Sequence, residues 1–237
     1  MSDERGGGGS DRSDRSDRSG GSDRSDRSDR SGGSDRSDDE TDAEWPAELR
    51  GVTESVVTTL GPNDLWNVAA LGVRAPAASD TPATATTWGN TRTRRNFHRQ
   101  GEGVVQFVTD PRTFVAAAVT IREETEPVLD SADAWVRVET DCVDSEERGE
   151  TTVERWELRP VEAEVVETGV RTINRGFYAV VDATVAASRL DVSAYDTDAL
   201  LDRLTYFEET VEKCGGDAER EAFERLSAET GWRKRRD

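Results

Sequence analysis

Gly51-Val52-Thr53-Glu54-Ser55-Val56-Val57-Thr58-Thr59-Leu60, followed at once by Gly61-Pro62-Asn63-Asp64, is the stretch on which the fold turns. Its density of β-branched residues predicts a strand, and the run after it has the composition of a turn. Beyond that turn, Trp66 to Ala75 reads as a second strand, Thr84 to Trp88 as a third and Val104 to Thr109 as a fourth. Asp110-Pro111 places an N-cap before a proline at the first helical position, which predicts a short helix over Arg112 to Val119. Two more strands, Ala134 to Val143 and Thr151 to Val166, are expected on either side of an acidic loop, Asp144 to Glu150. Strands returning at this spacing point to a small antiparallel barrel.

Downstream the period changes. Arg175 to Leu190 carries apolar residues at Phe177, Val180, Val181, Val185 and Leu190, and Asp198 to Lys213 carries them at Leu200, Leu201, Leu204, Phe207 and Val211. This is helical spacing, and its plainest meaning is core packing. Cys214-Gly215-Gly216 is expected to end the second of these helices through a left-handed glycine, and Asp217 to cap a last helix reaching about Thr230. Upstream, runs of Ser-Asp-Arg triplets closed by Gly-Gly begin at Ser10 and Ser22, and the unit starts again at Ser34. Such a segment has nothing to bury, so residues 1–44 are expected to form a disordered, solubilising tail. The expected organisation is therefore tail 1–44, barrel 45–166, helical portion 167–231 and basic tail 232–237.

Charge narrows the function. Asp plus Glu number 50 against 31 Lys plus Arg, for a net charge of −19, and only Lys213 and Lys234 are lysines. That balance argues against nucleic acid or an anionic membrane as the main partner. Few lysines and abundant carboxylates resemble the proteins of salt-accumulating archaea, where a Debye length of about 3 Å at molar salt screens self-repulsion. Neither a membrane-spanning apolar run nor a secretory leader is read from the sequence, so a cytoplasmic protein is expected. Cys142 and Cys214 fit neither a disulfide framework nor a zinc pattern and are expected to be free and buried. His98, the one histidine, builds no metal site alone, and a surface or structural role is the simpler reading than proton donor.

Against this acidic background, Gly89-Asn90-Thr91-Arg92-Thr93-Arg94-Arg95-Asn96 gathers three arginines, two threonines and two asparagines. Guanidinium forks and hydroxyls suit a phosphate, and in high salt an anion is held by short directed hydrogen bonds more than by diffuse attraction. The competing reading is that these arginines pair with the plentiful surface carboxylates. Composition alone leaves both open.

The order of four segments resembles the archaeal DUF447 family: Gly51 to Thr59, Trp66 to Arg74, Thr91 to Asn96, and Val105 to Pro111. Ile173-Asn174-Arg175-Gly176-Phe177, Asp182 to Val185 and Ser188-Arg189-Leu190 resemble that family's C-terminal helical portion, so the likeness spans about residues 49–230. The resemblance implies a fold that is mainly β with α, an FMN-binding split β-barrel plus a C-terminal helical portion. It also implies a homodimer with FMN near the interface. Carried over, it implies Thr91, Arg92 and Thr93 on phosphate oxygens, with Asn96 fixing that turn or reaching the ribityl chain. It implies Asn67 at the ring edge, Arg74 at the ring or phosphate rim, and Asn174 and Arg175 as a polar wall, from either subunit. Glu54 is a conceivable buried carboxylate nearby.

Three functions compete. One is a flavin-dependent oxidoreductase acting on a small molecule, with chemistry supplied by the flavin. Another is a non-catalytic FMN-binding or storage protein. The third is a docking module using Arg92 to Arg99 or Arg233-Lys234-Arg235-Arg236, which net charge disfavours.

Overall fold

The computed structural model describes residues 43–149 and 151–236. The Ser-Asp-Arg repeats lie outside the described residues. Among the described residues seven strands form: β1 (Val52–Leu60), β2 (Trp66–Arg74), β3 (Ala83–Trp88), β4 (Glu102–Val108), β5 (Arg122–Glu124), β6 (Ala132–Arg148) and β7 (Thr151–Val165). Five α-helices accompany them: α1 (Arg92–Gln100), α2 (Pro111–Val119), α3 (Arg175–Ala187), α4 (Thr197–Cys214) and α5 (Asp217–Thr230).

The strands run β1-β4-β6-β7-β3-β2, and β1 pairs with β2 to close the ring, all antiparallel. Period-two alternation sorts the side chains. Val57, Leu71, Val73, Ala85, Val105, Val136, Trp156 and Leu158 fill the barrel, whereas Val56 and Val68 face outward onto Phe114 and Ala117 of α2. Phe97 of α1 joins the barrel core, and Trp45 and Leu49 pack against it beside Phe107. Another face of α2 joins the two parts, because Val115 belongs to the helical core of α3, α4 and α5.

One seam of the barrel is split. β2 meets β3 only at Val73↔Ala85 and Arg74↔Thr84, while its other half, Trp66 to Val68, pairs with the three-residue β5. This is the split barrel with C-terminal helices that the family resemblance implied.

Several local expectations are corrected. The acidic segment Asp144 to Arg148 is no loop; it continues β6 past a bulge and pairs with Thr151 to Arg155, turning at Gly149 (φ 65°). Asp144 lies opposite Arg155, so cross-strand charge and the backbone ladder together outweigh the poor strand propensity of acidic residues. Gly215 is extended (φ −80°, ψ 152°) and supplies no left-handed exit. Glycine at 215 matters for space: a Cβ there would lie 2.7 Å from the Val211 carbonyl oxygen and 2.9 Å from the Glu219 Cβ. Gly216, not Asp217, is the N-cap of α5, and its N–H donates to the Glu219 carboxylate at 2.8 Å. Both cysteines are free, but Cys142 is exposed on the projecting hairpin and Cys214 is only half-buried. The segment expected as a basic tail, 232–237, docks as far as Arg236, whose Nη1 donates to Thr205 Oγ1 at 2.8 Å. Trp232 is buried and donates to Ser227 Oγ, Arg233 engages Glu208 and Glu224, and Arg235 engages Asp191.

Candidate functional site

The basic segment expected as a turn is the first part of a helix. Thr91 is the N-cap of α1, its Oγ1 accepting from the Arg94 N–H at 3.2 Å, and Gly101 (φ 67°) ends the helix. The helical signal lay in the spacing of Thr93, Asn96 and Phe97, the three residues of α1 that are buried. The first turn of α1 contains no acidic side chain. The N–H groups of Arg92 and Thr93 have no intrahelical acceptor and find none among the described residues. Such a terminus attracts anions.

Each basic side chain of α1 has a defined partner. Arg92 Nη1 donates to Glu123 Oε1 at 2.8 Å, and Arg94 Nη2 to Glu154 Oε1 at 2.6 Å. His98 Nε2 lies 2.8 Å from Glu154 Oε2, with its ring edge-on to Trp156. Arg95 is held by the carbonyl and side-chain oxygen of Asn90, and Arg99 by the Leu60 carbonyl and Asn96 Oδ1. Glu154 is 3% exposed; the Arg94 hydrogen bond above all, then the His98 contact, hold its carboxyl below the usual range against the opposing effect of burial. His98 therefore clamps α1 to β7. Buried Arg94 Nε is left without a partner.

Asn96 is equally committed. Its Nδ2 donates to the Thr59 carbonyl (3.1 Å) and to Thr59 Oγ1 (2.9 Å), tying α1 to the end of β1. Thr59 pairs with Asn67, and Asn67 also pairs with Glu123 of β5. Asn67 is 6% exposed and Thr93 5%, and neither side chain has a hydrogen-bond partner among the described residues. The fold thus brings Asn67, Thr91, Arg92, Thr93 and Asn96 to one end of the barrel, beside the split between β2 and β3. Glu123 joins them there, and sequence reasoning missed it. Arg122-Glu123-Glu124 has no strand signature, and only the free edge of β2 recruits it.

Arg74, Asn174 and Arg175 are not part of this group. Arg74 is exposed at the far end of β2, about 23 Å from Asn67 at 3.3 Å per residue. Asn174 caps α3, its Oδ1 accepting from the N–H groups of Gly176 (2.7 Å) and Phe177 (3.4 Å). It lines a groove of about 650 Å³ with Val52, Glu54, Phe114, Phe177 and Tyr178. Arg175 is exposed beside it. Within the groove, desolvation raises the Glu54 carboxyl above its ordinary value, against the pull of Arg189 and with the help of Asp182.

Two family models match the chain. The DUF447 N-terminal domain, of unknown function, covers residues 53–167, and a second DUF447 model of unknown function covers residues 174–228. Among solved structures, an FMN-bound protein of Methanosarcina mazei that carries the DUF447 family model is similar at 26% identity with a TM-score of 0.64. That likeness covers 76% of this chain and 96% of that one. More distant likenesses include a flavoredoxin of Methanosarcina acetivorans (11% identity, TM-score 0.37, covering 54% of this chain and 77% of that one). Another is a flavin reductase complexed with NADP+ (13% identity, TM-score 0.36, covering 52% and 84%). With both models matched in order over a split barrel and its C-terminal helices, the chain belongs to the DUF447 family.

Proposed function

We propose that this protein binds FMN and works, as a homodimer, as a flavin-dependent oxidoreductase on a small molecule. The observation that carries the reading is the start of α1. There an acid-free first turn, two free N–H groups, the Thr91 hydroxyl and the Arg92 guanidinium lie near Asn67, which is 6% exposed and whose carboxamide makes no hydrogen bond among the described residues. This donor set fits a phosphate with an amide-bearing ring system next to it. The FMN-bound relative supports the choice of ligand.

In this reading Thr91, Arg92 and the N–H groups of Arg92 and Thr93 hold the phosphate, and Asn67 donates to the ring edge. Asn96 acts indirectly, by fixing α1 on Thr59. Bound FMN would supply the electron transfer. Arg74, Asn174 and Arg175 lie too far along the barrel to share that seat within one subunit, and they would reach a flavin across the interface. Val170 (100% exposed) and Ile173 (90% exposed), in the strand-to-helix connection before Asn174, support a second copy covering that end.

The purified protein should be yellow and should release FMN on denaturation; a colourless protein whose melting temperature FMN does not raise would sink the reading. The storage alternative draws on the engagement of His98, the one histidine, by Glu154. Reduction of the bound flavin by NADH, NADPH or a reduced deazaflavin favours the enzyme, and failure of all three favours the store.

A further inference from the structure

The Arg92–Glu123 pair spans the split seam of the barrel. Arg92 opens α1, which follows β3, and Glu123 is the middle residue of β5, which pairs with the free half of β2. Its neighbours on β5 are occupied with each other, Arg122 Nε donating to Glu124 Oε1 at 2.6 Å. Glu123 alone reaches across, to Arg92 at 2.8 Å, with Asn63 Nδ2 at 3.4 Å from each of its carboxylate oxygens. The first turn of α1, where an Asp or Glu is ordinarily favoured, has none, and Glu123 supplies the negative charge there from a different strand.

We infer that Glu123 is a surrogate anion: its carboxylate occupies Arg92 and bridges the split until a ligand phosphate takes its place. The inference rests on the reading of the α1 terminus as a phosphate seat. The physical case is one of unequal partners. Arg92 and Glu123 side chains are 41% and 31% exposed, and pairs this open to water are worth about 0–1 kcal/mol. A phosphate dianion offers Arg92 a bidentate acceptor and also meets the Arg92 and Thr93 N–H groups, which Glu123 leaves unused. Glu123 therefore holds Arg92 in reach at little energetic depth and yields to a dianion. It competes with every flavin phosphate and leaves binding of the ring untouched.

The test is Glu123→Gln in the full-length protein, with FMN and riboflavin titrated separately by quenching of flavin fluorescence. Removing the competitor should tighten FMN binding by about threefold to fivefold, the equivalent of up to ~1 kcal/mol, and leave riboflavin binding unchanged. Glu123→Asp, which keeps the charge but shortens the reach, should shift FMN binding in the same direction by less. Unchanged or weaker FMN binding in Glu123→Gln would overturn the inference and make Glu123 a support that orients Arg92. Equal tightening of FMN and riboflavin would overturn it too, because the effect would then not act through the phosphate. If wild-type protein binds no FMN, the cofactor reading itself fails; if wild type binds FMN and the variant does not tighten it, only the surrogate role fails.

Discussion

Helices α1 and α3 both begin with a polar N-cap beside the barrel, and they present opposite surfaces. At α1, Thr91 accepts a single N–H and leaves those of Arg92 and Thr93 free, while every basic side chain behind it is pinned by a named acceptor. At α3, Asn174 already satisfies two N–H groups, the approach to the helix exposes Val170 and Ile173, and its first turn exposes Tyr178. One end has free backbone donors in a rigid polar frame. The other has satisfied donors and uncovered apolar surface. An N-cap and neighbouring arginines therefore do not by themselves make an anion site; what distinguishes α1 is which donors the cap leaves over.

The largest effect that would break the contrast lies in the frame of α1. Glu154→Gln leaves Arg94 beside an uncharged partner in a largely buried setting, so unfolding free energy should drop by roughly 3 kcal/mol, as when one member of a buried pair is removed. The pH dependence has a definite sign. The Glu154 carboxyl is held below its ordinary value near 4.5 in the fold, so its contribution is complete above that value and fades as pH falls below it. Denaturant titrations of wild type and variant should converge in that acid range; a constant difference down to pH 3 would assign the effect to something else.

Next comes the donor set. Arg92→Ala should weaken FMN binding by about tenfold or more, the scale of a lost charge-assisted hydrogen bond. Because its pair with Glu123 is exposed, the ligand-free melting temperature should hardly move. FMN retention equal to wild type would place the phosphate elsewhere. The smallest effect concerns α3. Ile173→Asp should shift the proposed dimer toward monomer by about tenfold in sedimentation velocity, from the lost burial of one aliphatic side chain. The same substitution should leave the stability of an isolated subunit unchanged, since Ile173 touches little within its own chain. A wild-type protein that is monomeric at every concentration would remove the second copy from the account.

Much of the fold was legible because its signals are local. β1 and β2 announce themselves through β-branched density around Gly61 to Asp64, α2 through Asp110-Pro111, and α3 and α4 through apolar side chains at helical spacing. The readings that failed were those in which a neighbour from far along the chain overrides local character. Asp144 to Arg148 looks like loop until β7 lies beside it. Arg122 to Glu124 looks like nothing until the edge of β2 is open. The basic run at α1 masks its helix because charged residues dominate its composition, and only Thr93, Asn96 and Phe97, the three that become buried, carry helical spacing. For the site, the cluster Thr91 to Asn96 was visible in the residues, but its separation from Arg74 and Asn174 was not.

Amino-acid order alone therefore determined the acidic character, the strand-then-helix succession and the place where arginine collects, since these depend on composition and on periods of two and 3.6 residues. Tertiary structure decided which arginine meets which carboxylate. Arg94 could have paired with any of many acids, and it meets Glu154 because β7 runs beside β3 at the register Thr87↔Glu154. Arg92 meets Glu123 because β2 parts from β3 after two rungs and takes β5 instead. In a chain with 50 acidic residues, charge alone specifies no partner; distance does, and distance is set by closure of the barrel.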